Sequence, residues 1–183
     1  MKRCDWCEGN TLQMDYHDNE WGVPVFLDTI HFEFLVLESM QSGLSWQTIL
    51  MKRESFRQAF DYYDCKKIAE YDEDKINELL NNAGIIRHRK KIESVINNAK
   101  QFLVIQKDFG SFSQYIWNFT ANKTLTNHYN SSTEVPSKSD LSELISIDLK
   151  KRGFKFLGPV TIYSYLQAVG IIDDHLNDCF KKQ

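Results

Sequence analysis

The sequence predicts an all-α fold, and three observations carry that prediction. Apolar residues recur at helical spacing along almost the whole chain, a capping residue or a glycine stands at most of the implied helix ends, and strand-like alternation is weak throughout. Asp28 stands where it can cap a helix running through Phe34, Leu37 and Met40, which Gly43 would end. Ser45, Asp64 and Asp72 are the caps expected for three shorter helices ending near Arg53, Tyr71 and Ala83. Over residues 88–107, Ile92, Val95, Ile96, Ala99, Phe102 and Leu103 fall on one face, the strongest periodic signal in the chain. The polar interval from Asn118 to Lys138, with Pro136 near its end, reads as a surface excursion. Ser139 starts a further helix with Leu141, Leu144, Ile145 and Leu149 as its buried stripe, and Gly153 stops it. Gly158-Pro159 opens another, with proline at the first helical position, where its missing N–H costs nothing. There is no internal repeat, no low-complexity tract and no linker long enough to divide the chain, so one domain over residues 1–183 is expected.

Composition narrows the function classes. A chain of 183 residues, 42% apolar and 26% charged, can bury one sizeable core and is neither disordered nor collagen-like. No stretch approaches the roughly 18 apolar residues of a membrane span, and the opening residues Met1 to Trp6 contain no apolar signal core. A cytoplasmic protein with no membrane association is therefore expected. The 22 Lys and Arg against 25 Asp and Glu, a formal charge of -3, exclude a uniformly basic nucleic-acid coat. Two basic patches remain, Arg87-His88-Arg89-Lys90-Lys91 and Lys150-Lys151-Arg152 with Lys155, and either could be a solvated face or a binding surface. Cysteines 4, 7, 65 and 179 are too few and too dispersed for a disulfide framework.

Three constellations carry chemistry. His175 and Cys179 are four apart in a short segment that could be helical, which would put an imidazole and a thiolate on one face, as a tetrahedral zinc accepts. The N-terminal region offers Cys4 and His17, with Cys7 as a spare. Two Cys and two His would close a structural site, although the same residues could be ordinary core. Cys4-Asp5-Trp6-Cys7 also has the C-x-x-C redox spacing, but no strand precedes it. The run from Lys150 to Pro159 joins two helices through a short loop with Gly153 and Gly158 at its ends. Phe154, Phe156 and Leu157 can pack between the helices while Lys155 faces out. Such a loop can hold a DNA phosphate without reading sequence, or it can be a plain capped turn. Trp6, Tyr16, Trp21 and Trp46 lie beside Glu38, which sits on a strongly apolar helix. A dry carboxyl needs donors, and aromatic faces around it form a slot for a flat, cationic ring; the bland alternative is an aromatic core.

The motifs Tyr16-His17-Asp18-Asn19-Glu20-Trp21-Gly22-Val23-Pro24, Gln41-Ser42-Gly43-Leu44-Ser45-Trp46 with Glu38 three residues upstream, Ala83 to Arg89, and Arg152 to Phe156 stand in order across nearly the whole chain. On these motifs the chain resembles the 3-methyladenine DNA glycosylase I family. The resemblance implies an all-helical member of the helix-hairpin-helix DNA glycosylase superfamily, with two helical lobes and a base pocket between them. It implies one structural zinc held by Cys4, His17, His175 and Cys179, which joins the N- and C-terminal regions and favours Cys4 over Cys7. It assigns Glu38 as the catalytic group recognising the lesion base and Tyr16 and Trp46 as pocket walls, with Trp6 and Trp21 in the aromatic wall. The hairpin residues Gly153, Phe154, Lys155 and Gly158 would hold DNA.

The implied partner is double-stranded DNA containing alkylated adenine, bound by a monomer. The implied reaction is hydrolysis of the N-glycosidic bond of 3-methyladenine after base flipping, the opening step of base excision repair. The lysines lie in basic runs on expected exposed faces, so no lysine nucleophile is evident and a monofunctional enzyme is expected. Asp173 and Asp174 lie beside His175 and are expected to be structural, as partners of the metal site. Asp174→Asn should accordingly retain most excision, and a hundredfold lower single-turnover rate with metal content intact would contradict this. Gln13, Met40 and Ser42 depart from the family pattern around the pocket and bear on breadth of substrate, notably 3-methylguanine. The rival reading is a zinc-stapled, non-catalytic DNA-binding protein, which would have no use for Glu38 within an aromatic cluster.

Overall fold

A helix buried on every face has to be surrounded, and the fold is arranged around one. The computed structural model describes residues 1–182. Its elements are α1 (Thr11–Asn19), α2 (Asp28–Gln41), α3 (Trp46–Ala59), α4 (Cys65–Ala69), α5 (Glu73–Asn81), α6 (Arg89–Phe109), α7 (Phe112–Asn118), β1 (Leu125–Thr126), α8 (Asp140–Lys151), α9 (Pro159–Ala168) and β2 (Ile172–Asp173), with single 3₁₀ turns at Asp5–Cys7, Asp61–Tyr63 and Ser132–Glu134. Every residue of α2 from His31 to Met40 is buried. α3, α6, α7 and α9 pack around it. The resulting core extends from Tyr16 to Ile172, and a smaller cluster of Cys4, Leu176 and Cys179 joins the two ends of the chain.

The helices form where their caps stand. The Ser45, Asp64, Asp72 and Ser139 side chains each accept an amide from the first turn of α3, α4, α5 and α8. His88 caps α6, and Gly158-Pro159 opens α9. The mostly helical architecture expected from periodicity is what forms.

Several details differ from expectation, each for a reason in the packing. Asp28 does not cap its own helix. Its carboxylate accepts the amides of Phe112 and Ser113, both at 2.9 Å, and so caps α7 across the core. α3 continues past Arg53 to Ala59 because Phe56 and Ala59 extend its buried stripe. In α8 the inward face is Ser142, Ile145, Ser146 and Leu149, and Leu144 is exposed. The Ser146 hydroxyl is needed inside, where it donates to the Leu157 carbonyl at 2.7 Å. The polar excursion is tied down by a parallel two-residue ladder, Leu125 with Ile172 and Thr126 with Asp173. The segment carrying His175 and Cys179 is extended and turned, not helical. Within the basic run Arg87 to Lys91, Lys91 is buried, and its ammonium donates to the Met40 carbonyl at the end of α2.

Candidate active site and metal-binding cluster

Where α1, α2, α3 and α9 meet the two chain ends, a cavity of about 310 Å³ opens. Its walls include every aromatic residue singled out from the sequence, Trp6, Tyr16, Trp21 and Trp46, together with Glu38. The rings form a continuous series. Trp21 and Trp6 have centroids 5.2 Å apart, Trp6 and Tyr16 6.2 Å, and Tyr16 and Trp46 5.4 Å. Glu38 faces this wall 7% exposed. Burial alone pushes its carboxyl up to about 8, since no charged or hydrogen-bonding neighbour offsets the loss of water. Burial, and after it the Glu38 carboxyl, also push the Tyr16 phenol up. The cavity therefore pairs flat aromatic faces with one carboxyl that lacks a donor among the described residues, an environment that favours a planar cationic guest.

Sequence reasoning did not read the other half of the wall as pocket. Gln41, Ser164, Gln167 and Asp174 line it, with Ser132 and Val135 from the polar excursion. A signal for two of these was present, because Ser164 and Gln167, with Thr161, are polar residues spaced three apart on a helix whose buried face is Ile162, Tyr163, Tyr165, Leu166 and Ala168. Asp174, expected as a partner of the metal site, bonds Asn127, Tyr163 and Gln167 in this wall, while Asp173 holds His175.

The Sγ atoms of Cys4 and Cys179 and a ring nitrogen of His17 lie within 4.8 Å of one another, all buried, in a group that could hold a metal ion. Each histidine here is oriented by a carboxylate. His17 Nδ1 meets Asp18 Oδ1 at 2.8 Å, and His175 Nδ1 meets Asp173 Oδ1 at 2.8 Å. Arg3 forks onto Asp18 and holds its carboxyl down at about 2, so it stays an acceptor. With Nδ1 engaged, each ring presents Nε2. That of His175 is sealed from solvent with no hydrogen-bond partner, 5.1 Å ring to ring from His17. His175, expected as a fourth ligand, lies outside the converging Cys4, His17 and Cys179 group, yet its orphaned nitrogen next to the His17 ring is the kind of unpaired buried atom that a metal site would satisfy. Cys7 is elsewhere, its Sγ donating to the Cys4 carbonyl at 3.1 Å. Burial raises the Cys4 thiol to about 12 and the Cys7 thiol to about 11, the opposite of the low-pKa thiolate that a redox C-x-x-C needs.

Cluster and cavity share a wall. Trp21 stacks on His17 at 5.9 Å and meets His175 edge-on at 4.6 Å. Gly22 lets the chain pass this point. Its φ is +77°, and a Cβ there would fall 2.6 Å from His175 Cε1.

The hairpin between α8 and α9 turns at Gly153, with φ +90°. Phe154 and Leu157 are buried as expected. Phe156 is not packed between the helices; it is 45% exposed at the tip, with φ +59°. Asn98 of α6 clamps the loop, taking the Lys155 amide at 2.8 Å and donating to the Lys155 carbonyl at 2.9 Å. Lys150, Lys151, Lys155 and Gly158 are exposed. Arg152 is engaged with Asp148 at 2.7 Å and lies over the Phe109 and Tyr115 rings.

The methyladenine glycosylase family model matches residues 6–182. A DNA-3-methyladenine glycosylase of Haemophilus influenzae is 45% identical over 177 residues, 97% of this chain and 96% of that protein. DNA-3-methyladenine glycosylase 1 of Escherichia coli is 40% identical over 179 residues, 98% of this chain and 96% of that protein. A solved variant of 3-methyladenine DNA glycosylase I in complex with 3-methyladenine superposes with a TM-score of 0.96 at 37% identity, covering 100% of this chain and 98% of that one.

Proposed function

Because the chain belongs to the methyladenine glycosylase family, we propose that its activity resides in the cavity between Glu38 and the Trp6–Trp21–Tyr16–Trp46 wall. It is an enzyme that hydrolyses the N-glycosidic bond of 3-methyladenine in alkylated DNA. Methylation at the third ring nitrogen gives adenine a delocalised positive charge, so the base is already a good leaving group. The C1′–N9 bond breaks with its electron pair passing to the purine, which leaves neutral, and water supplies the oxygen at C1′.

The protein's task is extraction and discrimination. Flipping the damaged nucleotide costs a few kcal/mol, and stacking on Tyr16 and Trp46 returns roughly 1 to 3 kcal/mol per aromatic contact. Ionised Glu38 accepts from the exocyclic amine and favours the cation, whereas uncharged adenine gains less. No lysine lines the cavity among the described residues, which supports a monofunctional enzyme. The helix-hairpin-helix element at 150–159 binds the duplex through Lys155 and through the amides at the start of α9, which Gly153, Phe154 and Gly158 allow to approach a phosphate. The chain acts as one domain over 1–183, two lobes with the pocket between them, and as a monomer.

Cys4, His17 and Cys179 with His175 as fourth ligand fit one structural zinc, whose usual tetrahedral set they make up. When bound, the ion cross-links the chain ends and leaves no open coordination position. Asp18 and Asp173 fix which nitrogen each histidine offers.

The observation that carries the pocket assignment is Glu38, a buried carboxyl without a protein donor inside an aromatic cavity. Methylated DNA incubated with wild type and with Glu38→Ala, the released bases separated by chromatography, tests it. Selective release of 3-methyladenine by wild type, lost in the folded variant, is expected. Undiminished release by Glu38→Ala would overturn the assignment.

A further inference from the structure

The orientation of one side chain in the cavity wall is dictated by chemistry. Gln167 of α9 donates from Nε2 to Asp174 Oδ2 at 2.7 Å. The same oxygen accepts the Tyr163 hydroxyl at 2.5 Å, and Oδ1 accepts Asn127 Nδ2 at 2.7 Å. The end of the Gln167 amide facing Asp174 is thus the NH₂ group, since Nε2 is the atom that donates to it. The carbonyl Oε1 is thereby turned away from Asp174, in a residue that lines the cavity, and it takes no protein donor among the described residues. The anchor is rigid. Asp174 is 2% exposed and is held from α9 and from the excursion through Asn127.

We propose that Gln167 Oε1 is a specificity-determining acceptor for the flipped base. It takes a hydrogen bond from the exocyclic amine of the alkylated adenine and opposes the carbonyl oxygen that an alkylated guanine carries at the same ring position. The assignment rests on reading the cavity as the base pocket. An amine has two N–H bonds, and Glu38 and Gln167 supply two acceptors from opposite ends of the sequence. They divide the work. Glu38 can carry charge and senses the cation, while Gln167 is neutral and senses only whether a donor or an acceptor faces it. A glutamate at 167 would lack the NH₂ group that Gln167 gives to Asp174 Oδ2, so an amide is the residue type that keeps this anchor and still offers an acceptor. Sites that hydrogen-bond a substrate N–H reject the analogue lacking it far better than apolar walls do, because the mismatch leaves a polar atom unpaired.

The test is a comparison of single-turnover release of 3-methyladenine and 3-methylguanine from the same methylated duplex by wild type and Gln167→Met. Methionine keeps the side-chain length and removes the acceptor. The release ratio is expected to shift at least tenfold against 3-methyladenine, with 3-methylguanine release unchanged or raised. Tyr163→Phe, which takes a donor from Asp174 without touching Oε1, should leave the ratio as in wild type. Parallel losses for both bases, or no change in either, would overturn the assignment. Should Gln167→Met fail to fold, Gln167→Asn withdraws the acceptor by one methylene and must shift the ratio in the same direction. Wild type releasing neither base would instead overturn the glycosylase reading. Release of 3-methyladenine with an unshifted ratio overturns the role of Gln167 alone.

Discussion

Glu38 links the chemistry of one side chain to a measurable pH profile. Its carboxyl sits at about 8 because burial removes water and nothing replaces it. The folded pKa lies above the ordinary 4.5, so the free protein holds Glu38 largely neutral at pH 7 and ionises it as pH rises through about 8. If the carboxylate recognises the cationic base, kcat/KM should climb with pH and level off above 8. Glu38→Gln should flatten the profile and lower its plateau about 100-fold, the equivalent of one charge-assisted hydrogen bond of about 3 kcal/mol. A wild-type profile independent of pH between 6 and 9 would remove the ionisation from the mechanism. The same shift predicts a stability effect of the opposite sense. Between 4.5 and about 8 the unfolded chain gives up this proton and the folded one keeps it, so wild type loses roughly 1.4 kcal/mol per pH unit that Glu38→Gln does not. Glu38 was legible in the sequence because a lone carboxylate on an apolar helix is chemically conspicuous. Gln167 was not, because its meaning depends on Asp174, Tyr163 and Asn127 meeting around it.

At the scale of elements, local chemistry was legible and long-range chemistry was not. Ser45, Asp64, Asp72 and Ser139 cap the helices they precede because a cap acts over two or three residues. Asp28 precedes a helix too, yet its carboxylate spans the core to Phe112 and Ser113, a contact that exists only once α2 and α7 have packed. Asp28→Ala should destabilise the protein by about 2 kcal/mol in urea unfolding, since it strips two amides and the Gln106 side chain of their acceptor. A cost below 0.5 kcal/mol would mean α7 needs no such cap. The hairpin between α8 and α9, proposed to hold DNA, depends on a neighbouring element in the same way. Asn98 holds both the amide and the carbonyl of Lys155, so Asn98→Ala should lower stability by about 1 to 3 kcal/mol and weaken DNA binding together. Lys155→Ala should leave stability alone and reduce the salt dependence of binding by about one phosphate contact. If both variants bind DNA as wild type does, the hairpin is not the DNA surface.

For the molecule as a whole, the Cys4, His17 and Cys179 cluster, with the zinc proposed for it, decides whether the two chain ends belong to the active site or merely border it. The ends meet in a small cluster of Cys4, Leu176 and Cys179 against which Trp6 and Trp21 pack, and those two rings are cavity wall. The ligand types and spacings were legible in the sequence. The convergence of Cys4, His17 and Cys179 was expected too, but it comes from an extended segment beside β2 and not from the helix that the four-residue spacing suggests. Without a metal the arrangement is costly, with His175 Nε2 sealed away unpaired among the described residues. Removing zinc from the native protein with a chelator should therefore do two things. It should lower the thermal midpoint by roughly 10 °C, corresponding to about 4 kcal/mol of lost cross-linking in a chain of this size. It should also cut excision while shifting tryptophan emission, because Trp21 stacks on His17 and loses its support. Cys179→Ser should reproduce both effects and cut zinc below one equivalent, and zinc added back should restore the chelated wild type but not the variant. Native protein that holds no zinc and melts unchanged in chelator would make the cluster ordinary core. The unpaired nitrogen of His175 would then need another partner, since a buried, carboxylate-oriented imidazole with an unsatisfied nitrogen is costly by itself.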